Sequence, residues 1–283
     1  HIRPRQQRVS IDYLGIAALL LVTVPFLVGL SLTGISYAWS SPQVVGLLVF
    51  SALALVLFIL VERRAAEPVL NLGLFKNSIF LVSVVGVFLT GLGMFGAILF
   101  IPLYMQGVIG KSATNSGTVL TPMMLGIVGG SMVGGQIISR WGRYRIIGVS
   151  GLAIASLGMF LLSRMGVTTG YGEVVRNLVI VGIGLGVTFP LYIIVVQNAF
   201  PISVLGTVTS STQFFRGIGG TVGAALFGSF FTSRFHQALT ASVSPSIATA
   251  ITQGKLGGLS NPQSLASPAA QATLQQQLGR LGI

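Results

Sequence analysis

Cysteine is missing from the 283 residues, histidine occurs twice and acidic residues four times. Without cysteine there are no disulfides and no thiolate metal sites. The acids are Asp12, Glu62, Glu67 and Glu173, and all lie at the edges of apolar runs or in the turns between them. No apolar run therefore holds a metal-ligand set or a nucleophile with its base, and the chain reads as neither an enzyme nor a metal protein. No lysine lies inside an apolar run, which excludes a retinal Schiff base. Charged residues of both signs make up 7% of the chain, against about 25% in soluble domains. A water-soluble fold would run short of polar surface.

What is present is apolar: 52% of the residues are hydrophobic, and glycine occurs 38 times. Glycine is common in membrane helices, where it lets backbones approach closely. The net charge of +12 is spread over short turns rather than gathered in a patch, and no nucleic-acid motif accompanies it, so no nucleic-acid partner is expected.

A spanning helix needs about 20 predominantly apolar residues. Seven segments qualify: 12–34, 43–61, 79–104, 117–138, 146–163, 177–198 and 206–232. None alternates strictly, as a β-barrel strand would. The expected fold is an all-α membrane protein, a polytopic bundle of about seven transmembrane helices. Arg3, Arg5 and Arg8 precede a run too long for a signal-peptide core. The start at His1 is read as a cytoplasmic linker within a longer protein.

Basic residues set the direction of the spans. With residue 1 inside, nine fall on the cytoplasmic side (Arg3, Arg5, Arg8, Arg63, Arg64, Lys76, Arg140, Arg143 and Arg145). Short loops on the other side hold three: Lys111, Arg164 and Arg176. The expected location is the plasma (cytoplasmic) membrane, multi-pass, with the start inside and the C-terminal tail outside. Asp12 suits an N-cap, where the helix dipole favours a carboxylate. Tyr37 and Trp39 suit the interfacial belt. Pro122 is expected to bend the outer end of the fourth span and Pro190 to kink the sixth. Gly219 and Gly223 form a small-xxx-small packing pair.

Arg216 lies about ten residues into the last span, ~15 Å along the axis and near the middle of a ~30 Å core. An ionisable residue there usually faces a bundle interior or a wet cavity. None of the four acids is an obvious buried partner for it, so its counter-charge is expected outside this sequence. Gln213, Phe215, Tyr104, Gln106 and Gln197 are the other candidates for lining a substrate or coupling cavity.

These residues carry a resemblance to the major facilitator superfamily, and within it to the fourteen-helix drug:proton antiporters. Gly135, Arg140, Gly142, Arg143 and Arg145 match the second-half copy of the family's cytoplasmic loop motif, Gly-x-x-x-Asp-Arg-x-Gly-Arg-Arg-Arg. Ser139 stands in place of the Asp, so a charge relay is not implied for this copy. Further matches are Ile11 to Gly15, Glu67 to Asn77, Pro102 to Gln106, Gly117 to Pro122, Gln197-Asn198, and Phe215 to Gly220. The resemblance implies three parts: a linker and extra helix pair over 1–77, five helices of the C-terminal bundle over 78–235, and a polar extracytoplasmic tail over 236–283. The first, second, fourth and fifth of those five helices would face the central cavity. An N-terminal bundle and a final helix would lie outside this sequence.

The function implied is proton-driven export of hydrophobic, amphipathic or cationic drugs. The proton gradient is the energy source, there is no cofactor, and the partners are the substrate, the bilayer and the N-terminal bundle. Arg140, Arg143 and Arg145 would form a cytoplasmic latch. Two alternatives stay open at this point: a same-fold exporter of a defined metabolite such as a siderophore, lipid or amino acid, and a non-transporting membrane sensor or assembly protein.

Overall fold

The first helix, α1 (Tyr13–Leu32), starts where Asp12 caps it, its Oδ1 accepting from the Gly15 amide at 2.8 Å. The computed structural model describes residues 12–33, 37–65, 68–110, 113–142 and 144–242. Arg143, Glu67 and the tail beyond Ser242 lie outside these described residues. Helix α2 (Pro42–Glu62) opens with Ser41 as N-cap and Pro42 in the first turn, where a missing N–H costs nothing. A 3₁₀ turn, Leu72–Lys76, leads to α3 (Ser78–Gly107). Then follow α4 (Ala113–Thr118), α5 (Leu120–Trp141), α6 (Tyr144–Ser163), α7 (Tyr171–Ala199) and α8 (Leu205–Ser242). Among the described residues seven helices are long and apolar enough to cross a membrane, α4 serving as a short lead-in to α5. All seven expected spans are present as helices.

Two boundaries differ from expectation for local reasons. The fourth span is broken between α4 and α5, which puts Pro122 in the first turn of α5. There its missing N–H costs little, since the first-turn donors of α5 have no partner within that helix. Helix α8 runs to Ser242, ten residues beyond the expected 232; residues 233–242 contain neither Gly nor Pro to stop it. Pro190 lies within α7, which continues on both sides of it to Ala199.

The helices pair along glycine seams. Helix α7 lies at the centre, with half of its most apolar window buried, and packs along both α5 and α6, while α3 packs along α8. At the α5–α7 seam a Cβ on Gly182 would strike the Met123 carbonyl oxygen, and one on Gly186 the Ile127 carbonyl oxygen. At the α3–α8 seam, Gly219 and Gly223 lie on the carbonyl oxygens of Phe88 and Leu92. In lipid, such contact between backbones replaces the hydrophobic drive that assembles a soluble core. Ala97, Met105, Met123, Leu178 and Leu185 belong to the largest buried cluster, shared by α3, α5, α6 and α7.

The α1–α2 hairpin packs against α8 and is tied to it at both ends. Near one end Ala18, Phe58 and Leu70 form a buried cluster against which Phe75 and Phe215 pack. Near the other, the Trp39 indole Nε1 donates to Ser229 Oγ at 2.6 Å.

Candidate functional site

Arg216 is positioned by its neighbours on α8. Because Gly219 and Gly223 lie directly on α3, α8 sits so close that the Arg216 carbonyl oxygen fills the space beside Gly91. Gly91 is thirteen residues into α3, ~20 Å along its axis. The guanidinium turns toward α7 and lies over the Phe189 ring, 4.4 Å from its centroid. Its Nε and Nη2 are sealed from solvent and meet no acceptor. These two donors form one edge of the guanidinium, the edge that grips a carboxylate with two parallel hydrogen bonds. A desolvated cation–π contact of this kind contributes about 2 kcal/mol or more, but it leaves the N–H donors in the ring plane without acceptors. Leaving two donors buried and unpaired costs about 1–3 kcal/mol each. The local protein therefore does not satisfy the charge by itself, and among the described residues no ion pair relieves it.

Gly206, Ser210, Gln213 and Gly217 are all exposed and follow one another at helical spacing on α8. This stripe is small and polar. The exposed positions of α3 and α5, such as Val82, Leu89, Leu125 and Met132, are apolar. A face meant for lipid looks like the second set; a face meant for water or for a partner bundle looks like the first. Arg216 stands at the edge of the polar stripe.

The structure gathers only some of the sequence candidates. Gln197 on α7 donates to Thr209 Oγ1 on α8 at 3.4 Å. Phe189 is eight residues up α7 and Arg216 seven residues up α8 from that contact. Gln197 and Arg216 thus share the α7–α8 seam, ~12 Å apart along it, with Gln213 between them. Phe215 points elsewhere: its ring meets Phe75 edge-on at 5.7 Å and Phe214 at 5.5 Å. Tyr104 and Gln106 are near the far end of α3, where the Tyr104 hydroxyl donates to the Gly166 carbonyl oxygen at 2.7 Å and Gln106 Nε2 to that of Pro102 at 3.2 Å. They do not reach Arg216.

At the turn after α5, Gly142 adopts φ +63° and its amide closes on the Ile138 carbonyl oxygen at 2.9 Å. Only glycine takes this left-handed cap without strain. A Cβ there would meet nothing, so Gly142→Ala tests backbone strain alone. It should cost about 1 kcal/mol and lower the melting temperature by about 3 °C, read by thermal unfolding of the detergent-solubilised protein. Ser139 turns back onto its own helix, donating to the Gln136 carbonyl oxygen at 2.9 Å. Arg140 and Arg145 are exposed. Arg145 stands with Ser83, Tyr192 and Asn198 around a pocket of about 600 Å³ between α3, α6 and α7. The turn therefore shares one end of the bundle with the start of α3 and the end of α7, and Gly135 lies on α5 with open space beside it.

Two features escaped the sequence. Phe189 gave no signal, because its meeting with Arg216 depends on how α7 and α8 align. Glu62 lies at a span edge, where the sequence suggests a solvated side chain, but it is only 4% exposed.

The sequence model of the Major Facilitator Superfamily matches residues 5–224. The chain is 38% identical over 247 residues to the multidrug transporter protein MdtP of Bacillus subtilis (strain 168), covering 86% of this chain and 45% of that protein. It is 35% identical over 230 residues to multidrug resistance protein 3 of the same strain, covering 81% and 45%. It is 36% identical over 230 residues to a tetracycline resistance determinant of Streptomyces rimosus, covering 81% and 65%. The chain spans about half the length of the curated relatives it matches.

Proposed function

Because the chain belongs to the major facilitator superfamily, we propose that it supplies part of a proton-driven exporter of hydrophobic, amphipathic or cationic drugs. It is a multi-pass membrane protein. In this reading the end carrying Lys76 and the Arg140–Arg145 turn faces the cytoplasm, as basic loops do, and those arginines latch against the rest of the transporter. An N-terminal bundle beyond this sequence closes the other side of the cavity, and the two rock against each other about a midplane site.

One observation carries the reading: a half-buried arginine whose carboxylate-gripping edge is sealed and unpaired, beside a polar stripe on a membrane helix. The partner proposed for that edge is an intramembrane Asp or Glu of the N-terminal bundle, whose protonation would release it. Relatives named for multidrug and tetracycline resistance support a drug as cargo.

The test is efflux from proteoliposomes holding the full-length protein, with an imposed pH gradient. Dye or drug should be expelled faster with the gradient than after it is collapsed by a protonophore. Equal rates would remove proton coupling. If a deletion strain is as resistant as its parent to toxic cations and dyes, the multidrug reading fails.

A further inference from the structure

Two of the four acidic residues in the chain converge at the start of α1. Asp12 Oδ1 caps the helix at the Gly15 amide, and Glu62 Oε1, at the end of α2, accepts from the Leu70 amide at 3.2 Å. Both carboxyl groups close over Gly15, where a Cβ would strike Asp12 Oδ2 and lie 3.2 Å from Glu62 Oε1. The remaining oxygens, Asp12 Oδ2 and Glu62 Oε2, are sealed from solvent and have no hydrogen-bond donor. Glu62 as a residue is 4% exposed.

Two ionised carboxylates packed together with a sealed, donorless oxygen each would repel, and would forgo the hydration that normally holds the charge. No basic group cancels them among the described residues. Just after α2, Arg63 and Arg64 are exposed. On α1, Tyr13 is exposed too, as is Lys76 in the 3₁₀ turn. On α8, Arg216 lies over Phe189. Arg8 and Glu67 are outside the described residues.

We infer that Asp12 and Glu62 bind one proton between them, a carboxyl O–H of one donating to the sealed carboxylate oxygen of the other. The proton comes from the adjacent water and no other bond changes. As in other close carboxyl pairs, it belongs to the pair and not to either residue. It also has a mechanical consequence. Glu62 holds Leu70, and Leu70 packs with Ala18 and Phe58 while Phe75 packs on that cluster beside the start of α3. The shared proton therefore fastens the segment between α2 and α3 to the head of α1. Loss of the proton at alkaline pH sets two like charges against each other there. The compartment that supplies the proton rests on the orientation proposed above; the existence of the shared proton does not.

Infrared difference spectroscopy of the full-length protein in lipid nanodiscs, stepped from mildly acidic to alkaline pH, reads the proton directly. The wild type should show a protonated-carboxyl C=O band that shifts in heavy water and disappears at alkaline pH. Asp12→Asn and Glu62→Gln should each remove that band, since the amide left beside the remaining carboxylate donates to it and lets it ionise. Persistence of the band in Asp12→Asn, with loss in Glu62→Gln, would overturn sharing and make Glu62 a singly protonated buried acid. Absence of the band from wild type, together with a melting temperature that rises with sodium or potassium, would overturn the proton in favour of a metal cation. None of these readings requires transport, so failure of the exporter proposal leaves them intact.

Discussion

Replacing Arg216 by alanine in the full-length transporter is expected to lower gradient-driven export by about a hundredfold to a few thousandfold while leaving the yield of folded protein near wild type. Breaking a buried charge pair by removing one partner costs about 3–5 kcal/mol, and each 1.4 kcal/mol in a barrier is about a factor of ten. In the conformation seen here, the Nε–Nη2 edge meets no acceptor, so the loss should fall on a step in which the pair forms and not on folding. The backbone at this position is held by Gly91 and Gly219, which alanine leaves undisturbed. Phe189 loses only its cation. Arg216→Lys should not restore activity, because an ammonium is a point charge and lacks the two-pronged edge. The measurements are efflux rate against pH gradient, and the folded fraction by size-exclusion chromatography. Wild-type efflux in Arg216→Ala would remove the residue from the coupling mechanism. An aggregated Arg216→Ala would assign it a structural role.

The second large effect concerns the seam that places this residue. Gly219→Leu should cost about 3 kcal/mol or more, since overpacking a tight contact by even one methylene costs 1–3 kcal/mol. Here the new side chain starts against the Phe88 carbonyl oxygen, on backbone that cannot move aside. That is a large share of the 5–15 kcal/mol that stabilises an ordinary domain, so folded protein should be lost from the chromatographic peak. Gly217→Leu, two residues away, is the contrast. Gly217 is exposed with nothing within reach of a Cβ, so the protein should fold normally. It should still export poorly, because the new side chain projects from the polar stripe. A wild-type peak for Gly219→Leu would mean that α8 does not rest on α3 as described. Full export by Gly217→Leu would mean that the stripe faces neither cargo nor partner.

The contrast between two neighbouring glycines shows where sequence reading stops. Both lie in Arg216-Gly217-Ile218-Gly219-Gly220; the spacing from Gly219 to Gly223 marks Gly219 as a packing position, yet nothing in that string says that α3 is the helix it touches. The helical period ranks positions on one helix relative to each other, but not against a neighbour. The same applies around Arg216 and Phe215. Adjacent positions on a helix point about 100° apart, so one of the two had to leave the cavity. The aromatic cluster of Phe75, Phe80 and Phe200 decided that it was Phe215. Tyr104 and Gln106 are candidates by polarity within a span, yet polarity does not encode depth, and their partners are the carbonyls of Gly166, beyond α6, and Pro102.

By itself the sequence determined the number of spans, because burying a helix in ~30 Å of hydrocarbon demands a run of apolar residues whose length is legible without knowing any neighbour. It pointed to the family through an ordered set of short motifs, the turn from Gly135 to Arg145 clearest among them, and it picked out Arg216 because one charge in such a run is conspicuous. Only the tertiary structure decided that Arg216 leaves its carboxylate-gripping edge empty over Phe189, and that Glu62 and Asp12 close over Gly15. Those facts depend on the register between helices far apart in the chain. The i, i+4 spacing of glycines such as Gly219 and Gly223 marks a packing face on its own helix, but not the partner helix or the register at which it meets.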